Sequence, residues 1–168
     1  FLFLPGREFN EREGKYMARE RKRGAIMELM RLLGGRESTL LTAAGDRVSL
    51  RDINYIIALD ADTRLTAGSA AELIGAALHP LNTPKIDRKR GVVASGYGII
   101  APRVSVELTS AGRSDFARLF AGQGGMDPYD LVSSCVYQDL FGEGIFSGKG
   151  LINVPAALVC LDGAFREN

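Results

Sequence analysis

The sequence contains few of the residues from which metal centres are usually built. His79 is the single histidine, which excludes a histidine-based metal cluster. Cys135 and Cys160 are the only cysteines, and their spacing matches no metal motif. We therefore expect two reduced thiols in a cytosolic setting. His79 precedes Pro80 at the predicted end of a helix, where a cationic side chain suits the helix dipole.

Excess charge and long apolar runs are also missing. Lys and Arg number 21 against 20 Asp and Glu, so a formal net charge of +1 gives no field that favours nucleic acid. No apolar run approaches the roughly 20 residues of a membrane-spanning helix. With 168 residues, 46% of them hydrophobic, the chain can form one domain with a core. Both ends look cut, so we expect a soluble piece of a larger protein.

The most informative segment is an apolar run that stops at two aspartates. Tyr55–Leu59 lacks polar alternation, which predicts a strand buried on both faces of a parallel sheet. Asp60 and Asp62 follow at its carboxyl end, where open α/β sheets bind ligands. Two carboxylates so spaced can hold Mg²⁺ together with phosphate oxygens and water. This D-x-D spacing is typical of nucleotide-sugar glycosyltransferases. In the alternative interpretation, Asp62 caps the next helix and Asp60 is a solvated turn residue.

Three further groups could carry chemistry. Arg21, Lys22 and Arg23 lie near a helix start and could neutralise a diphosphate, although they could equally be a solvated helix end. The glycine-rich segment 142–150 either lets backbone approach a ligand or is a plain flexible loop. Because Lys149 is followed by Gly150, the phosphate-loop pattern fails and a kinase or NTPase is excluded. Asp139 and Glu143 could reach an acceptor hydroxyl, or could instead cap a helix or pair with a cation.

Helical periodicity alternates with apolar strands along the chain, which predicts an α/β sandwich with a mostly parallel central sheet. The predicted elements include a short buried strand at Phe1–Leu4 and a strand at Gly91–Ala101. Helices are predicted from Ile26 to Leu33, with Gly34-Gly35 as the stop, over Thr66–Leu78 and over Pro155–Leu161.

Six motifs occur in this chain in a characteristic order and spacing: Glu20–Gly24, Tyr55–Thr63, Gly96–Ile99, Pro102–Val104, Phe116–Gly122 and Val136–Gly144. Taken together they resemble the glycosyltransferase domain of cyclic β-1,2-glucan synthases, and the likeness runs from about Arg7 to Asn168. The resemblance implies a GT-A fold spanning residues 1–168 as part of one domain, a UDP-glucose donor, a glucan acceptor, Mg²⁺ or Mn²⁺, and inverting β-1,2-glucosyl transfer. It also implies a large parent enzyme at the cytoplasmic face of the bacterial inner membrane.

Matched by position, Asp60 and Asp62 correspond to the metal and diphosphate motif, and Gly148, Lys149 and Gly150 to a glycine-lysine-glycine loop near the acceptor. The chain departs from the family at Ala25 and Met30, where lysine and asparagine are expected. It departs again at Ile152 and Asn153, where tyrosine and aspartate are expected. The resemblance places a first nucleotide-binding strand before Phe1 and the catalytic base, in a His-Asp segment, after Asn168.

These expectations leave the isolated chain able to bind donor weakly but with little or no turnover. Two other classes remain open. A nucleotidyltransferase would use the same metal chemistry at the sheet end, and a non-catalytic carbohydrate-binding module would use none of it.

Overall fold

The structure is a computed structural model that describes residues 1–18, 21–46, 50, 52–102, 107, 112–120, 140, 141, 146 and 148–163. The chain divides into two units. The first consists of Phe1–Ile100 together with Gly148–Asn168, and the second is Ala101–Ser147.

The first unit mixes helices with short strands. Its helices are α1 (Arg21–Leu33), α2 (Ser69–Leu78) and, from the second segment of the unit, α4 (Val154–Cys160). Its strands are β1 (Leu2–Leu4), β2 (Glu8–Asn10), β3 (Lys15–Met17), β4 (Leu41–Ala44), β5 (Tyr55–Ala58), β6 (Lys85–Asp87), β7 (Val92–Ser95), β8 (Ile99–Ile100) and β9 (Gly150–Asn153). In the second unit the structure describes one helix, α3 (Asp115–Phe120), whose Ala117 amide donates to the Ser114 hydroxyl.

Every strand pairing among the described residues is antiparallel, so the predicted mostly parallel sheet is not seen there. Three two-stranded sheets pair β1 with β4, β2 with β3 and β6 with β7. The fourth sheet has the order β5-β9-β8. Because β5 and β8 are both antiparallel to β9, they run in the same direction but are separated by β9. The predicted mixture of helices and strands is confirmed, and the strand pairing among the described residues differs from the prediction.

The core of the first unit forms on both faces of β9, whose four residues are all buried. Leu151 is 1% exposed and packs with Leu73 and Ala77 of α2, and Ile57 of β5 lies against the same cluster. Ile152, 2% exposed, points to the opposite face because side chains alternate along a strand. A strand that is apolar on both faces is stable only with cover on each side. The strand predicted at Tyr55–Leu59 forms as β5 but is only partly buried, with Ala58 its one buried residue, and the strand that is buried on both faces is β9.

Helix α4 follows β9 without a loop. The buried Asn153 side chain accepts a hydrogen bond from the Ala156 amide at 2.9 Å, so Asn153 is the N-cap of α4, and Pro155 lies in the first turn. Helix α1 packs closely against α4. At Gly34, just after α1, the contact is so close that an added Cβ atom would clash with Leu158 Cδ1. The predicted stop of α1 is confirmed, because Gly35 adopts φ +69° and its amide donates a hydrogen bond to the Leu32 carbonyl.

Other sequence predictions are confirmed with shifted details. The N-terminal strand forms but is not buried, since Leu2 and Leu4 are 53% and 49% exposed. Helix α2 begins at Ser69, later than predicted, with Gly68 as its N-cap, and it ends at His79 as expected. The predicted strand over Gly91–Ala101 is divided into β7 and β8 at Gly96, where φ is +75° and a Cβ atom would clash with the Thr83 carbonyl. Among the described helices, none is both long and apolar enough to span a membrane.

Candidate functional site

Asp60 lies just past the carboxyl end of β5, as the sequence predicts. Its carbonyl accepts the Thr63 amide at 3.0 Å, which closes a turn containing Ala61 and Asp62. Asp62 is exposed in that turn. Because Gly68 is the N-cap of α2, the interpretation of Asp62 as a helix cap is wrong. The turn leaves the Asp62 carboxylate accessible to a ligand.

Two lysines from distant parts of the sequence converge on Asp60. Lys22, in the first turn of α1, forms an ion pair with Asp60 Oδ1 and donates to the Gly148 carbonyl at 2.9 Å. Lys149 Nζ lies 2.9 Å from Asp60 Oδ2. The strand pairing explains this second contact. Ala58 pairs with Gly150, so the residues just before Gly150 lie beside those just after Ala58.

The glycines around Lys149 give the backbone this path. Gly148 has φ +84° and Gly150 has φ +147°, both in the region that favours glycine. Gly150 is the first residue of β9 and is buried, and the Lys149 side chain is 14% exposed. The Asp60 and Lys22 side chains are 34% and 40% exposed. The ion-pair cluster therefore lies at the edge of the core, within reach of solvent.

The electrostatics keep Asp60 ionised. Hydrogen bonds from Lys22 first and from Lys149 second hold the pKa of Asp60 below its ordinary value of 3.8. Each ammonium group contacts a different oxygen of the same carboxylate. The three side chains together carry one net positive charge. An anionic ligand at this position would therefore meet an attractive field.

The remaining predicted site residues have different outcomes. Arg21 begins α1, and Arg23 is an exposed residue of the same turn. Of the three predicted donor-binding cations, Lys22 contacts Asp60. Gly148, Lys149 and Gly150, which the resemblance assigns to the acceptor side, lie beside Asp60. Asp139 and Glu143, the candidate catalytic carboxylates, lie outside the described residues.

The donor set suits a cation that is shared with a phosphate ligand. Both oxygens of Asp60 already contact ammonium groups, so a cation could use this carboxylate only if a lysine moved to the phosphate ligand. Asp62 offers a second, exposed carboxylate. Mg²⁺ commonly uses one or two carboxylates and completes its shell with phosphate oxygens and water. Within the described part of the chain, no group of three or more His, Cys, Asp or Glu side chains could hold a metal by themselves.

The contact between Lys149 and Asp60 was not predicted from the sequence. Gly150–Asn153 was not identified as a strand, because its four residues stand between a glycine-rich segment and a helix. Two signals were available, the apolar pair Leu151 and Ile152 and the glycine before them. A short apolar run bounded by turn residues is typical of a buried strand.

Comparisons with known proteins bear on the whole chain. No protein-family model matches it. The chain is similar to the cyclic beta-(1,2)-glucan synthase NdvB of Rhizobium meliloti (strain 1021), with 40% identity over 169 aligned residues. The alignment includes 100% of this chain and 6% of that protein. The chain is thus similar to a small part of a much longer glucan synthase.

Proposed function

We propose that this chain is part of a glycosyltransferase domain of GT-A type that uses UDP-glucose to build a β-1,2-glucan. The observation that carries the proposal is the convergence of Lys22, Lys149 and Asp60 at the end of β5. The similarity to a cyclic glucan synthase over the whole chain supports the same conclusion. The parent protein would act at the cytoplasmic face of a bacterial inner membrane.

The donor diphosphate is the ligand that this cluster suits best. Lysine ammonium groups bind phosphates as compact point charges, and the chain offers two of them within one small region. The Gly148 and Gly150 backbone lets the chain pass close to such a ligand. Lys22 and Lys149 would neutralise the diphosphate in the bound donor and the charge that grows on UDP as it leaves.

Asp60 and Asp62 are the residues that would hold Mg²⁺ or Mn²⁺. When bound, such a cation supplies charge stabilisation to the departing UDP, which contributes several kcal/mol to lowering the barrier. Inverting transfer also requires a carboxylate that takes a proton from the acceptor hydroxyl. Asp139 and Glu143 are candidates from the sequence, and the resemblance places the base beyond Asn168. Binding of the donor is therefore the property to measure in this chain.

Isothermal titration of the 168-residue chain with UDP, with and without Mn²⁺, tests the proposal. We expect Mn²⁺ to tighten UDP binding by about tenfold, equivalent to about 1.4 kcal/mol. Asp60→Asn and Asp62→Asn should remove this effect of Mn²⁺. Asp115→Asn is the matched control, because that carboxylate is fully exposed on α3 and should leave UDP binding unchanged.

Titrations with UDP-glucose and with nucleoside triphosphates separate the other two classes. Tighter binding of nucleoside triphosphates than of UDP-glucose would identify a nucleotidyltransferase and refute the proposal. A well-folded chain that binds no nucleotide, and whose aspartate variants change only in stability, would identify a non-catalytic module.

A further inference from the structure

The arrangement around Asp60 creates a competition between lysine and metal. Both carboxylate oxygens of Asp60 contact ammonium groups, Lys22 on Oδ1 and Lys149 on Oδ2. A divalent cation approaching either oxygen would meet at least one positive charge within a few ångströms. Like charges at that separation repel strongly where water is partly excluded. Asp60 is therefore poorly available to a free cation while both lysines are paired with it.

Binding of a diphosphate would make Asp60 available to a cation. Its oxygens are better partners for ammonium groups than a single carboxylate, because they carry more charge and offer more acceptor sites. If the two lysines exchange Asp60 for the diphosphate, the carboxylate is left to bind a cation. The negative charge that the diphosphate brings then favours the same cation. Binding of the diphosphate and binding of the metal become mutually reinforcing, as linkage requires.

The two lysines differ in how firmly they are placed. Lys149 is flanked by Gly148 and Gly150, both with positive φ, and its side chain is largely buried. Lys22 stands on the first turn of α1, is more exposed, and also bonds the Gly148 carbonyl. Lys22 thus connects α1 to the backbone that carries Lys149. Both ammonium groups belong to one cluster that is held from two sides.

We propose that Lys22 and Lys149 form a paired-ammonium site for a nucleoside diphosphate and keep Asp60 closed to divalent cations until that diphosphate binds. This inference rests on the proposed function, because it takes UDP as the ligand. It assigns Lys149 to the donor diphosphate, whereas the family resemblance assigns it to the acceptor side.

The test measures Mn²⁺ binding to the 168-residue chain by electron paramagnetic resonance of free Mn²⁺, with and without UDP. Lys149→Met is the principal variant. It should bind Mn²⁺ alone about tenfold more tightly than the unaltered chain, because one repelling charge is gone. It should bind UDP about tenfold more weakly, because one phosphate ligand is gone. A structural role alone would not change the two affinities in opposite directions.

Two further variants make the result specific. Lys22→Met should shift both affinities in the same directions, and its exposed position favours a normally folded variant. Lys89→Met, in the exposed turn between β6 and β7, is the matched control and should shift neither. Thermal unfolding followed by circular dichroism checks that each variant is folded.

The outcomes separate the inference from the function on which it rests. If the chain binds UDP with Mn²⁺ but Lys149→Met and Lys22→Met bind Mn²⁺ alone no more tightly, the inference is overturned and the proposed function stands. If those variants keep full UDP affinity, the inference is overturned too. If the folded chain binds UDP under no condition, the proposed function fails and the inference fails with it.

Discussion

Asp162 is the residue whose replacement should most clearly expose how α1 is held. It follows α4, and its carboxylate accepts from Arg31 Nε at 2.7 Å and pairs with Arg31 Nη2 at 2.6 Å. Arg36 pairs with its other oxygen and also donates to the Leu158 carbonyl at 3.2 Å. Glu28 accepts a hydrogen bond from Arg31 at 2.7 Å. The Asp162 carboxylate therefore belongs to a network that joins α1 to the end of α4.

Burial decides the size of the effect. The Asp162 side chain is 14% exposed, whereas Asp115, which pairs with Arg118 at 3.6 Å, is fully exposed. Hydrogen bonds to charged groups contribute about 1.5 to 3 kcal/mol each when protected, and exposed ion pairs about 0 to 1 kcal/mol. Asp162→Asn should therefore lower the free energy of unfolding by about 2 kcal/mol. Asp115→Asn, the control, should lower it by about 0.5 kcal/mol or less.

The pH dependence of the free energy of unfolding gives a second, independent test of the role of Asp162. Burial by itself would raise the pKa of Asp162, but the hydrogen bonds from Arg31 and Arg36 outweigh it and hold the pKa below its ordinary 3.8. A lowered pKa in the folded state stabilises the fold above the ordinary value, and this contribution is lost as the pH falls through the lowered value. The difference in the free energy of unfolding between the unaltered chain and Asp162→Asn should thus have its full size at neutral pH and shrink below about pH 4.

Urea denaturation followed by circular dichroism, at neutral pH and at about pH 3, measures both quantities. The reasoning is refuted if Asp162→Asn unfolds at the same urea concentration as Asp115→Asn at neutral pH. It is also refuted if the difference from the unaltered chain grows as the pH falls.

Two further predictions concern β9 and the start of α4. Asn153→Ala should cost about 1 to 2 kcal/mol of unfolding free energy, because the Ala156 amide loses its acceptor, whereas Asn153→Asp should cost less because it keeps that acceptor. Equal urea midpoints for Asn153→Ala and Asn153→Asp would show that the Asn153 side chain does not stabilise α4 as its N-cap. Leu151→Ala should cost about 2 to 5 kcal/mol, because its side chain is 1% exposed between α2 and the sheet. A loss below about 1 kcal/mol would show that this position is not part of a packed core.

The elements that the sequence predicted well are those with long or strongly patterned signals. Helix α1 has apolar residues at helical spacing and ends at paired glycines, and both features are local. The strand before Asp60 was predicted from five consecutive apolar residues. In each case the chain encodes the element without help from distant residues. Their positions along the sequence could therefore be predicted without knowing the pairing partner.

The elements that were missed depend on tertiary contacts. Strand β9 has four residues and no alternation, and it becomes a strand because β5 and β8 flank it. The antiparallel direction of the sheet follows from the pairing with β9, so it could not be predicted without identifying β9 as a strand. The same is true of the site. The D-x-D pair was predicted, but the contact of Lys149 with Asp60 depends on the register between Ala58 and Gly150.

At Met30 and Asn153 the chain departs from the family that it resembles, and both departures make structural sense. Met30 is 2% exposed, so an apolar side chain there fills the interior of the first unit. Asn153 occupies the N-cap position of α4, and asparagine and aspartate are about equally good at capping. An aspartate expected at this position would accept the same hydrogen bond. The substitution therefore preserves the junction between β9 and α4.

That junction explains why three distant segments can build one site. Pairing of β9 with β5 brings Lys149 to Asp60, and the Asn153 cap turns the chain directly into α4. Helix α4 in turn holds α1 by close packing at Gly34 and by the ion pairs of Asp162. Because α1 carries Lys22, each step that fixes α4 also fixes the second ammonium group at Asp60. The charge arrangement at the sheet end is thus a consequence of core packing on β9.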